Sequence, residues 1–268
     1  MSASPLPLTG LLPEGSEWMP VTHGQSGATV LHDPGNKRYV KVVPAAHADA
    51  LAAERDRIEW LSATGIPGPT VLAWHASEHG ASLVTSAVAG VPADQLDPSQ
   101  LHAAWLSITD TVRRLHRIPA ASCPYDNTLD DLIAVARATV AQNRVQTEFL
   151  PQHLQQTPPV AILDSLEREL PRRREQEGAD PVVCHGDLCL PNILIDPGTL
   201  HVTGLIDLGR LGRADPYVDI ALLLANARGT WPDEDTARQA DHDFADRYGI
   251  VLDLERQDFY LRLDPLTW

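Results

Sequence analysis

Apolar residues alternate with polar ones near the start of the chain and recur at helical spacing later, so the pattern predicts a small sheet followed by a largely helical region. Val21-Thr22-His23-Gly24-Gln25-Ser26-Gly27-Ala28-Thr29-Val30 reads as two short strands around a loop of small residues. Tyr39-Val40-Lys41-Val42-Val43 alternates as a strand bounded by Pro44, and Lys41 lies between valines. A lysine placed there needs an anionic partner, unless the strand is an edge and the lysine faces solvent. Ala48 to Ser62 reads as a helix on Leu51, Ile58 and Leu61, and it carries Glu54. Ile66-Pro67-Gly68-Pro69 breaks the chain, after which Val71 to Trp74 and Ala81 to Ala87 look like strands of the same sheet.

Beyond Gly90-Val91-Pro92 the period changes. Pro98 to Ile118 is helix-like, with Leu101, Trp105, Ile108, Val112 and Leu115 at helical spacing, and Leu129 to Gln142 makes another helix. The charged run Glu167 to Glu177 contains Arg172-Arg173-Arg174, but its interspersed glutamates point to a solvated helix rather than a nucleic-acid patch. No internal repeat or low-complexity linker is visible.

The 268 residues suit one large or two modest domains, and an apolar content of 43% is enough to bury a core. No run of about 18 apolar residues occurs, and Met1 to Gly10 lacks the features of a signal peptide, so a cytoplasmic protein without a membrane partner is expected. With 21 basic against 36 acidic residues the formal net charge is -15, which repels nucleic acid and suits a polycationic small molecule. An acidic surplus also serves solubility alone. Cys184, His185 and Cys189 invite a zinc reading, but a fourth local ligand is missing and cysteine beside an apolar strand is usually packing.

The chemistry concentrates in His185-Gly186-Asp187-Leu188-Cys189-Leu190-Pro191-Asn192 and Ile206-Asp207-Leu208-Gly209-Arg210, which look like a phosphotransferase site. Between them, Ile193-Leu194-Ile195-Asp196, Pro197-Gly198 and His201 to Ile206 form a hairpin-like segment. Asp187 suits a general base for a hydroxyl attacking a nucleotide's terminal phosphate, and Asn192 and Asp207 offer the hard oxygens that magnesium takes. Taken singly, each is equally explained as a turn former or strand-end cap.

The segment from Val183 to Ala221 resembles the aminoglycoside O-phosphotransferases, relatives of the protein kinases: His185-Gly186-Asp187 stands where kinases carry His-Arg-Asp, and Asp207-Leu208-Gly209 where they carry Asp-Phe-Gly. That resemblance implies an α+β, bilobal, kinase-like fold. Residues 1–89 would form an N-terminal nucleotide-binding lobe with a small antiparallel sheet and one helix, and residues 90–268 a larger, mostly helical catalytic lobe.

By the same resemblance ATP and Mg2+ are the cofactors. Asp187 is the catalytic aspartate, His185 orients the loop, Asp219 braces it, and Asn192 and Asp207 hold the metal. Ser26 in the glycine loop, Lys41 with Glu54, and Ser86 and Val88 between the lobes fall to the nucleotide. Arg210, Asp233, Asp264 and Trp268 fall to a cationic aminoglycoside, with no nucleic-acid or obligate protein partner implied. Where members acting on kanamycin-like drugs tend to carry acidic residues, the chain has Gln155-Gln156 and Pro265, and over its length it looks most like the branch acting on the 3''-hydroxyl of streptomycin. A kinase for another small alcohol, of choline or homoserine type, would share every catalytic position. A non-catalytic nucleotide-binding regulator would leave the intact trio Asp187, Asn192 and Asp207 without purpose. A protein kinase is disfavoured, because no Ala-Pro-Glu follows Asp207.

Overall fold

The computed structural model describes residues 11–13, 17–21, 28–35 and 37–268. They form two compact units, one of the described residues up to Ala89 together with Thr203–Gly209, the other of Gly90–Val202 and Arg210–Trp268.

The first unit is a five-stranded antiparallel sheet in the order β1-β2-β3-β5-β4, with β1 Met19–Pro20, β2 Thr29–Asp33, β3 Arg38–Pro44, β4 Val71–Ser77 and β5 Gly80–Ser86. Period-two alternation sends Val40 and Val42 into a cluster with Leu11, Leu31 and Val84, and Lys41 to the opposite face. The helix α1, Ala48–Ser62, the only α-helix among the described residues of this unit, buries Leu51, Glu54, Ile58 and Leu61. These positions make a single stripe at helical spacing, so Glu54 belongs to the buried face rather than the solvated one.

In the second unit β6 (Val91–Pro92) pairs with a later strand, and α2 (Pro98–His116) follows. Asp97 caps α2 in a reciprocal box with Gln100 and Pro98 sits in its first turn, while Leu101, Trp105, Ile108, Val112 and Leu115 are all buried as their spacing predicts. A second capping box, Thr128 with Asp131, starts α3 (Leu129–Ala141). Next comes α4 (Pro159–Ala179), which continues through Pro171. Here the expected solvated helix needs correction, because Arg173 within the charged run is 1% exposed. Its guanidinium donates to Glu169, Gln176 and the Glu255 carbonyl and lies 5.2 Å from the centre of the Phe259 ring, so burial is offset by hydrogen bonds and a cation–π contact.

Strand β7 (Val182–Cys184) leads to β8 (Ile193–Ile195), the partner of β6, and then to β9 (Val202–Leu205), whose last three residues belong to the first unit. An Asx turn, in which the Asp196 carboxylate accepts from the amides of Gly198 and Thr199, separates β8 from β9. β10 (Gly212–Ala214) pairs antiparallel with β7. Three helices complete the unit: α5 (Tyr217–Arg228), α6 (Glu234–Tyr248, with Gly249 at φ 94° ending it) and α7 (Leu254–Leu263). α2 packs on α6, α5 on α7 and α3 on α4. The Trp105 indole donates to the Ala240 carbonyl, tying α2 to α6 inside the core. No helix among the described residues is long and apolar enough to cross a membrane.

Candidate active site

In the first unit Lys41 reaches across from β3 to α1, its ammonium donating to the Glu54 carboxylate at 2.8 Å and to the Asp207 carboxylate at 3.2 Å. Burial works against the ammonium, but the charges of Glu54 and Asp207 outweigh it and hold the Lys41 pKa above its ordinary value, so the lysine is cationic at any physiological pH. The open alternative of a solvent-facing edge lysine is excluded, since β3 has neighbours on both sides. Asp207 has φ 60°, a left-handed conformation uncommon for a residue with a side chain, and its carboxylate remains 45% exposed. Ser26 lies outside the described residues. The Ser86 amide donates to the Thr70 carbonyl and its hydroxyl accepts from the Thr70 amide, so these groups already serve the chain's own backbone. Val88 is half-buried just beyond β5.

In the second unit the loop from His185 to Asn192 connects β7 to β8. Helix α5 holds it at both ends: Asp219, in the first turn of α5, accepts from the backbone amides of His185 (2.7 Å) and Gly186 (2.8 Å), and Asn226 accepts from the amide of Leu190 (2.8 Å). Gly186 has φ 85°, and a Cβ there would fall 2.3 Å from the Arg210 carbonyl oxygen, so only glycine fits. The His185 ring is fully buried, and its Nδ1 accepts from the Asp187 amide at 3.2 Å. The Asn192 amide nitrogen donates to the Asp187 main-chain oxygen at 2.8 Å and to its carboxylate at 3.1 Å. Asp187 and Asn192 are thus brought together, with the carboxylate oriented by a neighbour that carries no charge.

Sequence reasoning missed what stands behind Asp219. His116, at the end of α2, places Nε2 3.0 Å from the Asp219 carboxylate and Nδ1 2.7 Å from the Tyr248 hydroxyl. A carboxylate can only accept, so Nε2 donates to Asp219, and Nδ1 shares a hydrogen bond with the Tyr248 hydroxyl. His116, Asp219 and Cys184 have ligand atoms within 4.8 Å of one another, a grouping a metal could use. The hydrogen bonds argue otherwise, because the Cys184 thiol donates to the Asp215 carbonyl and burial pushes its pKa well up, whereas a metal needs the thiolate. The signal was available in principle as a histidine on the buried stripe of an amphipathic helix.

The residues expected to meet the substrate divide. Arg210 turns to the end of the chain: it donates to the Thr267 carbonyl (2.9 Å) and hydroxyl (3.2 Å), pairs with Asp264 at 3.7 Å, and stacks over the Trp268 ring at 4.5 Å. The Trp268 indole donates to Asp264 in turn. Burial raises the Asp264 pKa despite the opposing pull of Arg210 and Trp268. Arg210, Asp264 and Trp268 therefore form one cluster. Asp233 stands apart as the cap of α6, accepting from the Thr236 amide at 2.7 Å. Beyond it Glu234 and Asp241 pair with Arg228, and Asp235 pairs with Arg238.

Residues 17–260 match the phosphotransferase enzyme family known as APH. The chain is 58% identical to a streptomycin 3''-kinase of Streptomyces griseus, over 95% of this chain and 93% of that protein, and 40% identical to an aminoglycoside 3'-phosphotransferase of Streptomyces fradiae, over 92% and 94%. Among solved structures it resembles an aminoglycoside phosphotransferase, APH(3'')-Id of Streptomyces rimosus, in complex with ADP and streptomycin, at 52% identity and a TM-score of 0.89 over 94% of this chain and 92% of that one. Family motif, loop architecture and overall likeness agree, and the chain belongs to the APH family of phosphotransferase enzymes.

Proposed function

We propose that the protein transfers the terminal phosphate of ATP to the 3''-hydroxyl of streptomycin. The observation that carries this reading is the 58% identity, over nearly the whole chain, to a streptomycin 3''-kinase. The Streptomyces rimosus relative was solved with ADP and streptomycin bound, which supports the same nucleotide and acceptor class here. A net charge of -15 favours a polycationic acceptor.

In this reading Asp187 accepts the proton of the attacking hydroxyl, and Asn192 fixes the carboxylate's orientation through the 3.1 Å bond. Asp219 and His185 keep the loop in the one shape that presents Asp187. Lys41, kept cationic and held by Glu54, supplies positive charge for the nucleotide phosphates. Ser26, Ser86 and Val88 belong to the nucleotide side of the reading. The donors suit magnesium: the Asn192 nitrogen is occupied by Asp187, leaving its amide oxygen as the ligand, and Asp207 offers a half-exposed carboxylate, so both are hard oxygens. Bound magnesium would supply charge neutralisation on the phosphates. Asp264 and Trp268 are the acceptor-side groups, and Arg210 sets their position. The product carries about two added negative charges on a cation that binds ribosomal RNA, so drug inactivation follows.

The test is turnover with magnesium, ATP and either streptomycin or kanamycin, followed by NMR location of the phosphate. Streptomycin phosphorylated at the 3''-hydroxyl is the expected product. Turnover with kanamycin in place of streptomycin would overturn the acceptor assignment.

A further inference from the structure

We propose that a basic groove in the second unit, remote in sequence from the catalytic loop, binds a compact multivalent phosphate anion. The groove has a volume of about 600 Å³ and is lined by Asp110, Arg113, Arg114 and Arg117 of α2 and its C-cap, His201 before β9, and Arg247 of α6. None of these residues belongs to the segment 185–192 or to the cluster of Arg210, Asp264 and Trp268.

Positions 110, 113, 114 and 117 follow the spacing of one helix face, so α2 presents three guanidinium groups side by side. A fourth, Arg247, comes from a different helix. Against these four stands a single carboxylate, Asp110, already engaged by Arg247 through two hydrogen bonds, one of 2.7 Å. In a chain with 15 more acidic than basic residues, most guanidinium groups pair with a carboxylate, as Arg38, Arg137, Arg174, Arg213 and Arg262 do. The side chains of Arg113 and Arg117 make no hydrogen bond or close ion pair with a described residue, and Arg113 shares only the charge of Asp110, which Arg247 already engages. The exposed Arg117 guanidinium has no protein acceptor, so its donors remain available to an anion in the groove.

Compensation of the helix dipole explains a basic residue in a helix's last turn, and α5, α6 and α7 each have one there. α2 has Arg113, Arg114 and His116 there, with Arg117 at the cap, which exceeds that need. Guanidinium forks suit phosphate oxygens in pairs, and several forks around one groove select a multivalent anion over a single carboxylate. A long nucleic acid is disfavoured, because its flanks would run onto a surface whose net charge is -15.

The 268-residue chain, saturated with magnesium and ADP to fill its nucleotide site, is titrated calorimetrically with inorganic tripolyphosphate at about 0.15 M salt. One equivalent should bind, and the double variant Arg113→Gln, Arg117→Gln should weaken it at least tenfold with kinase turnover and melting temperature unchanged. Arg114→Gln is the second variant should the double one melt early. Titration of the ADP-free protein with ATP separates the sources of the anion: two equivalents falling to one in the double variant assign it to a nucleotide, one equivalent in both assigns it to free polyphosphate. The proposal fails if tripolyphosphate does not bind the ADP-saturated protein, if the groove variants bind it as tightly as the parent, or if the exposed Arg137→Gln weakens it equally.

Discussion

Lys41 and Asp207 stand 166 positions apart in the chain, and the fold sets the ammonium of one 3.2 Å from the carboxylate of the other. Glu54 completes the triad from α1, and its 8% exposure makes its carboxylate dependent on the lysine. Lys41→Met should therefore destabilise the protein by about 2–3 kcal/mol, at the low end for removing one member of a buried pair because the lysine is partly solvated. Urea unfolding of the two proteins measures this, and equal midpoints would show that the ion pair contributes nothing to stability.

Asp187 and Asn192 separate chemistry from orientation. Asp187→Ala should lower kcat by about 10²- to 10⁴-fold, the range for loss of a positioned base, with ADP affinity nearly unchanged. Asn192→Ala removes both the donor that orients Asp187 and a proposed magnesium ligand, so it should also raise the magnesium concentration needed for half-maximal rate. Steady-state kinetics over a magnesium series tells the two variants apart, and an unshifted magnesium dependence would remove Asn192 from the metal's ligands.

Gly186 sits at a backbone position in the loop that admits no side chain. With φ 85° and a Cβ that would meet the Arg210 carbonyl at 2.3 Å, Gly186→Ala should cost at least about 2 kcal/mol and distort the loop that carries Asp187. A melting temperature and kcat both indistinguishable from the parent's would contradict the assigned loop geometry.

Glu169 gives a pH signature unrelated to catalysis. Burial acts to raise its pKa, but hydrogen bonds from Arg262 and Arg173 outweigh this and hold it below its ordinary value. A lowered folded-state pKa contributes stability above the unfolded value and loses it as pH falls through the folded value. The stability gap between the parent and Glu169→Gln should thus be full at neutral pH and close in acid, below about pH 4. Since Glu169 is a third exposed, the gap itself should be modest, about 1 kcal/mol. Denaturant titrations at several pH values check the sign, and a gap that widens in acid would reverse it.

The order of elements was legible because each rests on short-range physics. The spacing of Leu101, Trp105, Ile108, Val112 and Leu115 forces one helical face inward, and Asp97 and Thr128 begin their helices with local hydrogen bonds. The motif around Asp187 was legible because its bonds to Asn192 and His185 lie within a few residues. Partnerships made across the fold were a different matter: whether Lys41 faced solvent, what lay behind Asp219, and how Arg173 could be buried in a charged run. What Arg210 and Asp233 bond within the chain was likewise set by the fold: Arg210 holds Thr267, Asp264 and Trp268, and Asp233 caps a helix. Periodicity and local hydrogen bonding fix where helices, strands and tight loops form. A charged side chain's partner depends on which distant elements pack together, and only the tertiary structure decided that for Lys41, His116, Arg173 and Arg210.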